Sequence, residues 1–318
     1  MAGTHVSPRR NTPVTKVFPL RYETVTLRQA YRNRLRVRFR LNRAPADGTV
    51  PPPDSIGRDG LFLGVIPGWF TEAFAPPYIF VNVAGMRVDE LHGFDLSPPE
   101  ARRLQEELAS RVVAGPAIDL AGVRYVAGAD VSTEKDTAYA TVVVLEFPWL
   151  SIVEVQGFEA PLRFPYVPGL LSFREVPSLV GALRKVETRV DALILDAQGF
   201  AHPRRMGLAS HLGIFLDVPT VGCAKSRLVG SYEEPGREKG SATDLVHRGE
   251  TVGRVVRTRE GVSPVYVSVG NGIDLRSSVE LVLACCTKYR LPESTRQAHN
   301  AANRLRRGEE LGGTMRLL

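Results

Sequence analysis

The sequence predicts an α/β protein built on a mixed β-sheet. Three strand-like runs, separated only by short turns, occupy residues 123–158. Beyond them, short apolar strands alternate with helical patterns, the order expected when helices cover a partly parallel sheet. Composition agrees: across 318 residues, 43% are hydrophobic, 24% charged and 8% aromatic. Such a chain can bury a core without staples, and collagen, coiled coil and disorder throughout are excluded.

The first 60 residues are rich in Arg, Pro and Thr. Between Arg34 and Leu41, arginines alternate with Leu35, Val37, Phe39 and Leu41, which would set an arginine stripe on one face of a strand. The segment reads either as a ribbon tracking phosphates or as a solvated, poorly ordered extension. Pro51-Pro52-Pro53 marks a linker-like break.

From Asp95 the signals sharpen. Ser97-Pro98-Pro99-Glu100 has the form of a capping box with prolines in the first turn, so a helix is predicted from there to about Val113. Strands over 123–131, 139–147 and 151–158 form a predicted antiparallel meander. A helix follows over 176–188, then a buried strand over 192–195, a helix over 208–216 and a buried strand over 220–224. Strands over 252–257 and 265–269 and an amphipathic helix over 275–288 complete the pattern. The tail, with Arg290, Arg296, Arg304, Arg306 and Arg307, reads as a basic surface segment. This order matches a ribonuclease H-like mixed sheet flanked by helices, although periodicity alone leaves other mixed α/β folds open. The domain reading is a basic Arg/Pro-rich extension over 1–85 and a folded domain over 86–318.

The net charge of +7 invites a nucleic-acid reading, but its distribution matters. Residues 1–85 hold 12 Lys and Arg against 5 Asp and Glu, so the remainder carries 29 of each sign and is neutral. Three cysteines, Cys223, Cys285 and Cys286, offer no C-x-x-C pair, which argues against a disulfide framework or a cysteine zinc site and for a reducing compartment. The longest apolar stretch, Leu61 to Met86, is broken by Pro67, Glu72, Pro76 and Pro77, and no apolar export segment opens the chain. The expectation is a soluble, cytoplasmic monomer with no membrane partner.

Several residues could do chemistry. Asp130 closes the run Val126-Ala127-Gly128-Ala129, and Asp196 closes Leu193-Ile194-Leu195. Carboxylates at neighbouring strand ends can converge on one hard cation such as Mg²⁺, though each alone also reads as a turn-forming Asp. Glu175 completes a capping-box pattern with Ser172. Pro177 argues against that register, and a helix starting nearer Pro177 would free Glu175 to face a site. His202-Pro203-Arg204-Arg205 is a dense cationic cluster in the neutral region. Its arginine forks suit phosphate and its His could move protons or coordinate, unless the loop merely forms surface ion pairs. Lys225 follows an apolar strand and could neutralise a phosphate or be a plain surface lysine. Pro165-Tyr166-Val167-Pro168-Gly169 is a stiff turn presenting Tyr166, either as a wedge into a duplex or as packing over a loop. Ser210-His211 lacks the G-x-S-x-G elbow, and Gly270-Asn271-Gly272 lacks P-loop spacing and its lysine, so hydrolase-elbow and nucleoside-triphosphate readings are rejected.

Taken in order, these segments resemble the endonuclease V family, nucleases that nick nucleic acid beside deaminated bases. The resemblance rests on Val126 to Val131, on the run from Pro165 through Leu170-Leu171-Ser172-Phe173-Arg174-Glu175, and on Asp196. It continues through His202 to Arg205, Ala209-Ser210-His211-Leu212-Gly213, Asp217-Val218-Pro219-Thr220, Ala224-Lys225 and Tyr289 to Arg296, covering about 95–297. It implies a ribonuclease H-like sheet on which Asp130, Glu175 and Asp196 hold Mg²⁺, with Mn²⁺ able to substitute. Lys225 and His202 would lie beside the scissile phosphate, and Tyr166 would be the wedge. Pro165, Pro168, Gly169, Arg204 and Arg205 would contact substrate. The substrate implied is DNA with deaminated bases, cut at the second phosphodiester bond 3′ to the lesion to leave 3′-hydroxyl and 5′-phosphate; inosine-containing RNA is the same-fold alternative. Hypoxanthine presents a carbonyl and an N–H where adenine has an amine and an acceptor, an edge that backbone groups in a pocket can read.

Two positions depart from the family pattern. Ala197 stands where Gly usually follows the second Asp, and Asn271 stands where a Gly-His motif places a histidine. These bear on metal affinity and keep a non-catalytic nucleic-acid-binding relative as a further alternative, while the intact carboxylates favour activity. Residues 1–85 lie outside the resemblance. Met86 is a candidate translation start; otherwise the basic segment is expected to give auxiliary nucleic-acid binding.

Overall fold

The computed structural model describes residues 86–311 and, before them, four short strands without their side chains. The chain divides into two units, Met1–Val83 with Leu318, and Ala84–Leu317. In the first, β1 (Val25–Arg28) pairs antiparallel with β2 (Arg36–Phe39), and β3 (Phe62–Gly64) with β4 (Ile79–Val81). The arginine alternation thus does mark a strand. The faces of its side chains, the Pro51-Pro52-Pro53 break and the order of the rest of 1–85 lie outside the described residues.

The second unit is an eight-stranded mixed sheet flanked by helices, as the pattern predicts, with strand order β10-β11-β12-β9-β8-β5-β6-β7. The predicted meander is present as β5 (Tyr125–Glu134), β6 (Thr137–Glu146) and β7 (Ser151–Pro161). β8 (Ala192–Leu195) and β9 (Thr220–Ala224) add in parallel to β5 and to each other. Parallel neighbours need a crossover, supplied by α2 (Leu171–Leu183) between β7 and β8 and by α3 (Leu208–Gly213) between β8 and β9. β12 (Val265–Asn271), β11 (Glu250–Val256) and β10 (Ala242–His247) complete the sheet antiparallel.

β8 shows why the apolar runs were readable. Leu193 and Leu195 enter the core under α2 and α3, while Ala192 and Ile194 enter the core under α4 (Leu275–Cys285). A strand covered on both faces has no polar positions to alternate. α1 (Pro98–Leu108) begins as predicted: the Ser97 backbone N–H and hydroxyl both donate to the Glu100 carboxylate, at 2.8 and 2.5 Å. Met86 is packed into the core of this unit. Cys223, Cys285 and Cys286 are free and buried. Among the described residues no helix is long and apolar enough to cross a membrane.

Three elements differ from expectation. α2 starts at Leu171 and keeps Pro177 inside it, rather than starting at the proline. Pro177 forfeits one bond to the Phe173 carbonyl, and burial of Phe173, Val176, Leu179 and Leu183 along one face outweighs that loss. β10 was not predicted at all, because its sequence, Ala242 to His247, mixes charge with apolar residues in an edge strand. The arginine-rich tail is not a loose surface segment. It forms α5 (Glu293–Arg306), which buries Ser294, Thr295, Ala298, Ala301 and Ala302. These small residues let the helix lie directly on β5, where a side-chain carbon on Gly128 would come within 2.2 Å of the Ser294 backbone.

Candidate active site

β5, β8 and β9 run parallel, so their carboxyl ends open on the same edge of the sheet, where open α/β sheets place their sites. Register pairs Ala129 with Leu195 and Leu195 with Gly222. Asp130, Asp196 and Lys225 therefore emerge side by side, each one to three residues beyond a paired position. The Asp196 carboxylate, only 9% exposed, is ion-paired with Lys225. Asp130 accepts a hydrogen bond from His299 Nδ1 at 2.8 Å.

Glu175 joins them from within α2. Burial, then the charges of Asp130 and Asp196 against the opposing Arg174, push its carboxyl up to about 8. Asp130 is also raised, by burial first, with His299 opposing and Asp196 adding to the shift. The charges of Asp130 and Asp196 both reach Glu175, and that of Asp196 reaches Asp130, so the three carboxylates share one neighbourhood. Among the described residues, no three His, Cys, Asp or Glu side chains already close around one point, since Asp196 pairs with Lys225 and Asp130 with His299. The donor set nonetheless fits a hard divalent ion: all oxygen, and already drawing the Lys225 ammonium to Asp196 and an imidazole N–H to Asp130.

Beside the carboxylates lies a cavity of about 450 Å³, with Asp196 and Lys225 on its wall and Pro168, Gly169, Leu171 and Leu228 around it. Tyr166, 71% exposed, also lines it, on the turn that precedes α2. Pro165, next to it, is exposed. Gly169 sits at φ +78°, a conformation suited to glycine, and a Cβ there would lie 3.0 Å from the Arg204 guanidinium.

The cationic cluster serves this turn. Arg204 donates to the Gly169 carbonyl (2.8 Å) and to Gln105 Oε1 (2.5 Å). Arg205 donates to Glu250 (2.8 Å) and to the His202 (3.0 Å) and His247 (3.1 Å) carbonyls, and lies over the Phe200 ring. The two forks read as phosphate binders are thus engaged by internal partners. His202, 3% exposed, has Nε2 3.1 Å from the Gly169 carbonyl, and its Nδ1 accepts from the Arg204 backbone N–H at 3.2 Å. A carbonyl can only accept, so Nε2 carries the proton and the ring is neutral. Burial and Arg204 push it down to about 4.

Both departures from the family pattern have local explanations. Ala197 is not among the residues at positive φ, and its methyl packs in the core under α2 and α3. Asn271 accepts from the Val113 N–H at 2.9 Å and donates to the Gly213 carbonyl at 3.1 Å, tying the segment after α1 to the end of α3. The imidazole at the carboxylates is His299 instead, which the sequence reading missed. Asn303 donates to His299 Nε2 at 3.0 Å, which leaves Nδ1–H for Asp130. The signal was present three residues after Arg296, but only a helix on β5 brings it to Asp130.

A model of the Endonuclease V family matches residues 106–300. Endonuclease V of Gloeobacter violaceus is 49% identical over 225 residues, covering 69% of this chain and 91% of that protein. The crystal structure of Endonuclease V from Streptomyces avermitilis, 40% identical, covers 70% of this chain and 98% of its own with a TM-score of 0.64. Ciona intestinalis Endonuclease V, solved with a 24mer DNA containing an inosine followed by a ribo-adenosine, is 29% identical with a TM-score of 0.59, covering 66% of this chain and 98% of its own.

Proposed function

The chain belongs to the endonuclease V family, and on that premise we propose that it is a Mg²⁺-dependent endonuclease of DNA repair, recognising hypoxanthine and hydrolysing the second phosphodiester bond 3′ to it. The products are a 3′-hydroxyl and a 5′-phosphate. The observation that carries this reading is the juxtaposition of the carboxylate group of Asp130, Glu175 and Asp196 with a base-sized cavity rimmed by an exposed tyrosine.

Asp130, Glu175 and Asp196 would hold the cation, which supplies an activated water and stabilises the leaving oxygen; Mn²⁺ is expected to replace it. The chain does the rest. Lys225, bound to Asp196 and facing the cavity, neutralises charge developing on the phosphate. His299 orients the Asp130 carboxylate by its Nδ1–H. Tyr166 fills the gap left when the base turns out of the stack, and the cavity receives that base. His202 and Arg204 fix the Gly169 carbonyl and so the shape of the turn that carries Tyr166. We place the protein in the cytoplasm as a monomer.

A second reading, cleavage of inosine-containing RNA, is favoured by the ribo-adenosine that follows the inosine in the Ciona complex. End-labelled duplexes with one inosine, in paired DNA and RNA forms, test both. A cut one nucleotide beyond deoxyinosine supports the repair reading. Faster cutting of the RNA form moves the assignment to RNA, and binding without cutting in Mg²⁺ and Mn²⁺ returns the non-catalytic alternative.

A further inference from the structure

Lys225 stands on the wall of two cavities. One is the base-sized cavity beside the carboxylates. The other, of about 390 Å³, contains none of the three carboxylates. Its walls come from the loop after β9, the loop between β11 and β12, and the segment between α4 and α5. Arg257 builds it. This buried guanidinium donates to the Gly236 (3.0 Å), Pro235 (2.9 Å) and Val262 carbonyls and pairs with Glu234 at 2.7 Å, so it ties the first two loops together. All three of its nitrogens are engaged in this way, and its role is to shape the wall.

The other side chains of this wall offer positive charge, hydroxyls and aromatic rings. The Lys225 side chain is 45% exposed. Arg290 is half-buried and donates from Nη2 to the Lys225 and Pro264 carbonyls, each at 2.7 Å. It has no carboxylate partner among the described residues, so its charge is not offset by an ion pair. Glu234, the acid of this wall, is taken up by Arg257. Tyr232 and Tyr266 meet through their hydroxyls at 3.0 Å with their rings edge to face, and Arg227 lies over the Tyr232 ring. Ser263 is exposed on the same wall.

We propose that this second cavity binds the nucleotide on the 3′ side of the cut, the one that keeps the 5′-phosphate after hydrolysis. The inference rests on the proposed function, which sets the lesion base in the first cavity and the scissile phosphate at Lys225. The strand then leaves Lys225 on its 3′ side, and the second cavity shares that side chain. Lys225 and Arg290 supply the positive charge that a phosphate-bearing nucleotide calls for. Tyr232 and Tyr266 give its sugar and base an aromatic surface that tolerates any sequence, as a site must when only the lesion is specified. Binding is thereby extended past the cut, to a part of the strand that carries no lesion.

Single-turnover cleavage at varied protein concentration tests it, on inosine duplexes whose nucleotide after the cut is intact or is an abasic tetrahydrofuran residue. The wild-type protein is expected to need roughly tenfold more protein for half-maximal cutting of the abasic form, the loss of one stacked base. An abasic residue several nucleotides further on should have no such effect. Tyr232→Ala removes the aromatic surface, and Ser263→Trp plugs the cavity from its exposed wall. Each should bring the ratio between intact and abasic forms close to one, because the variant has already lost what the abasic residue removes. A folded variant, by its melting curve, that weakens both forms and keeps the tenfold ratio would overturn the proposal. If neither variant folds, the wild-type ratio decides. Equal half-maximal concentrations on the two forms overturn the inference and leave cutting beside inosine standing. No cutting beside inosine at all removes the proposed function and the inference together.

Discussion

Glu175 sets the pH behaviour of the site. Its carboxyl, raised to about 8 by burial and by Asp130 and Asp196, binds a proton in the folded chain that the unfolded chain gives up near 4.5. Between those values the folded state holds more protons, so this group's contribution to stability is full below 4.5 and is lost as pH rises towards 8. Binding a cation there must expel that proton, so affinity rises over the same window. Two results follow. In EDTA, melting temperature should fall from pH 5 to 8, with a shallower fall in Glu175→Gln. The stabilisation given by added Mg²⁺ should grow with pH. A Mg²⁺ effect flat in pH would contradict this reading of Glu175. At the facing carboxylate, His299→Ala removes the group orienting Asp130 and should lower kcat by about 10- to 100-fold with little change in KM. Steady-state rates on an inosine duplex check it.

The elements explain what the sequence could and could not disclose. Asp130, Asp196 and Lys225 were legible because each follows a plain apolar run, at the ends of β8 and β9 and midway along β5, which continues to Glu134, and a charged residue after such a run stands out. Glu175 was ambiguous because Pro177 masks the true start of α2. α5 was illegible because its buried face is Ser, Thr and Ala, which make no hydrophobic stripe amid arginines. With α5 hidden, His299 was hidden too. The contact that seats α5 gives an element-scale prediction. Gly128→Ala would force the helix off β5, and overpacking of this kind costs about 1–3 kcal/mol. Denaturant unfolding should register that loss, and activity should fall further than in His299→Ala, since Asp130 lies two residues along the same strand.

At the scale of the molecule, charge and chemistry sit in different units. The excess of +7 lies in residues 1–85, whereas the sheet, the carboxylates and the cavity lie in the neutral remainder. A chain lacking residues 1–83 should therefore keep its cleavage position and its metal requirement. Its binding to undamaged duplex should weaken and depend less steeply on salt, because fewer phosphate counterions are displaced. Titrations at several salt concentrations measure that slope, and an unchanged slope would remove nucleic-acid binding from the basic segment. The same division explains why the net charge was a poor guide to the reaction. It reports on a segment that supplies none of the carboxylates, and the reaction was legible only from the order of short motifs along a neutral domain.

In the proposed function, Asp130 and Asp196 from the sheet and Glu175 from α2 cut nucleic acid beside a deaminated base with the help of a divalent ion. The most direct test is a nicking assay on matched duplexes, with and without one deoxyinosine, in Mg²⁺ and then in EDTA, with Asp196→Ala run alongside. One nick is expected, a nucleotide beyond the inosine, present in Mg²⁺, absent in EDTA and absent in the variant. A nick that survives EDTA or the loss of Asp196, or that ignores the inosine, would contradict it.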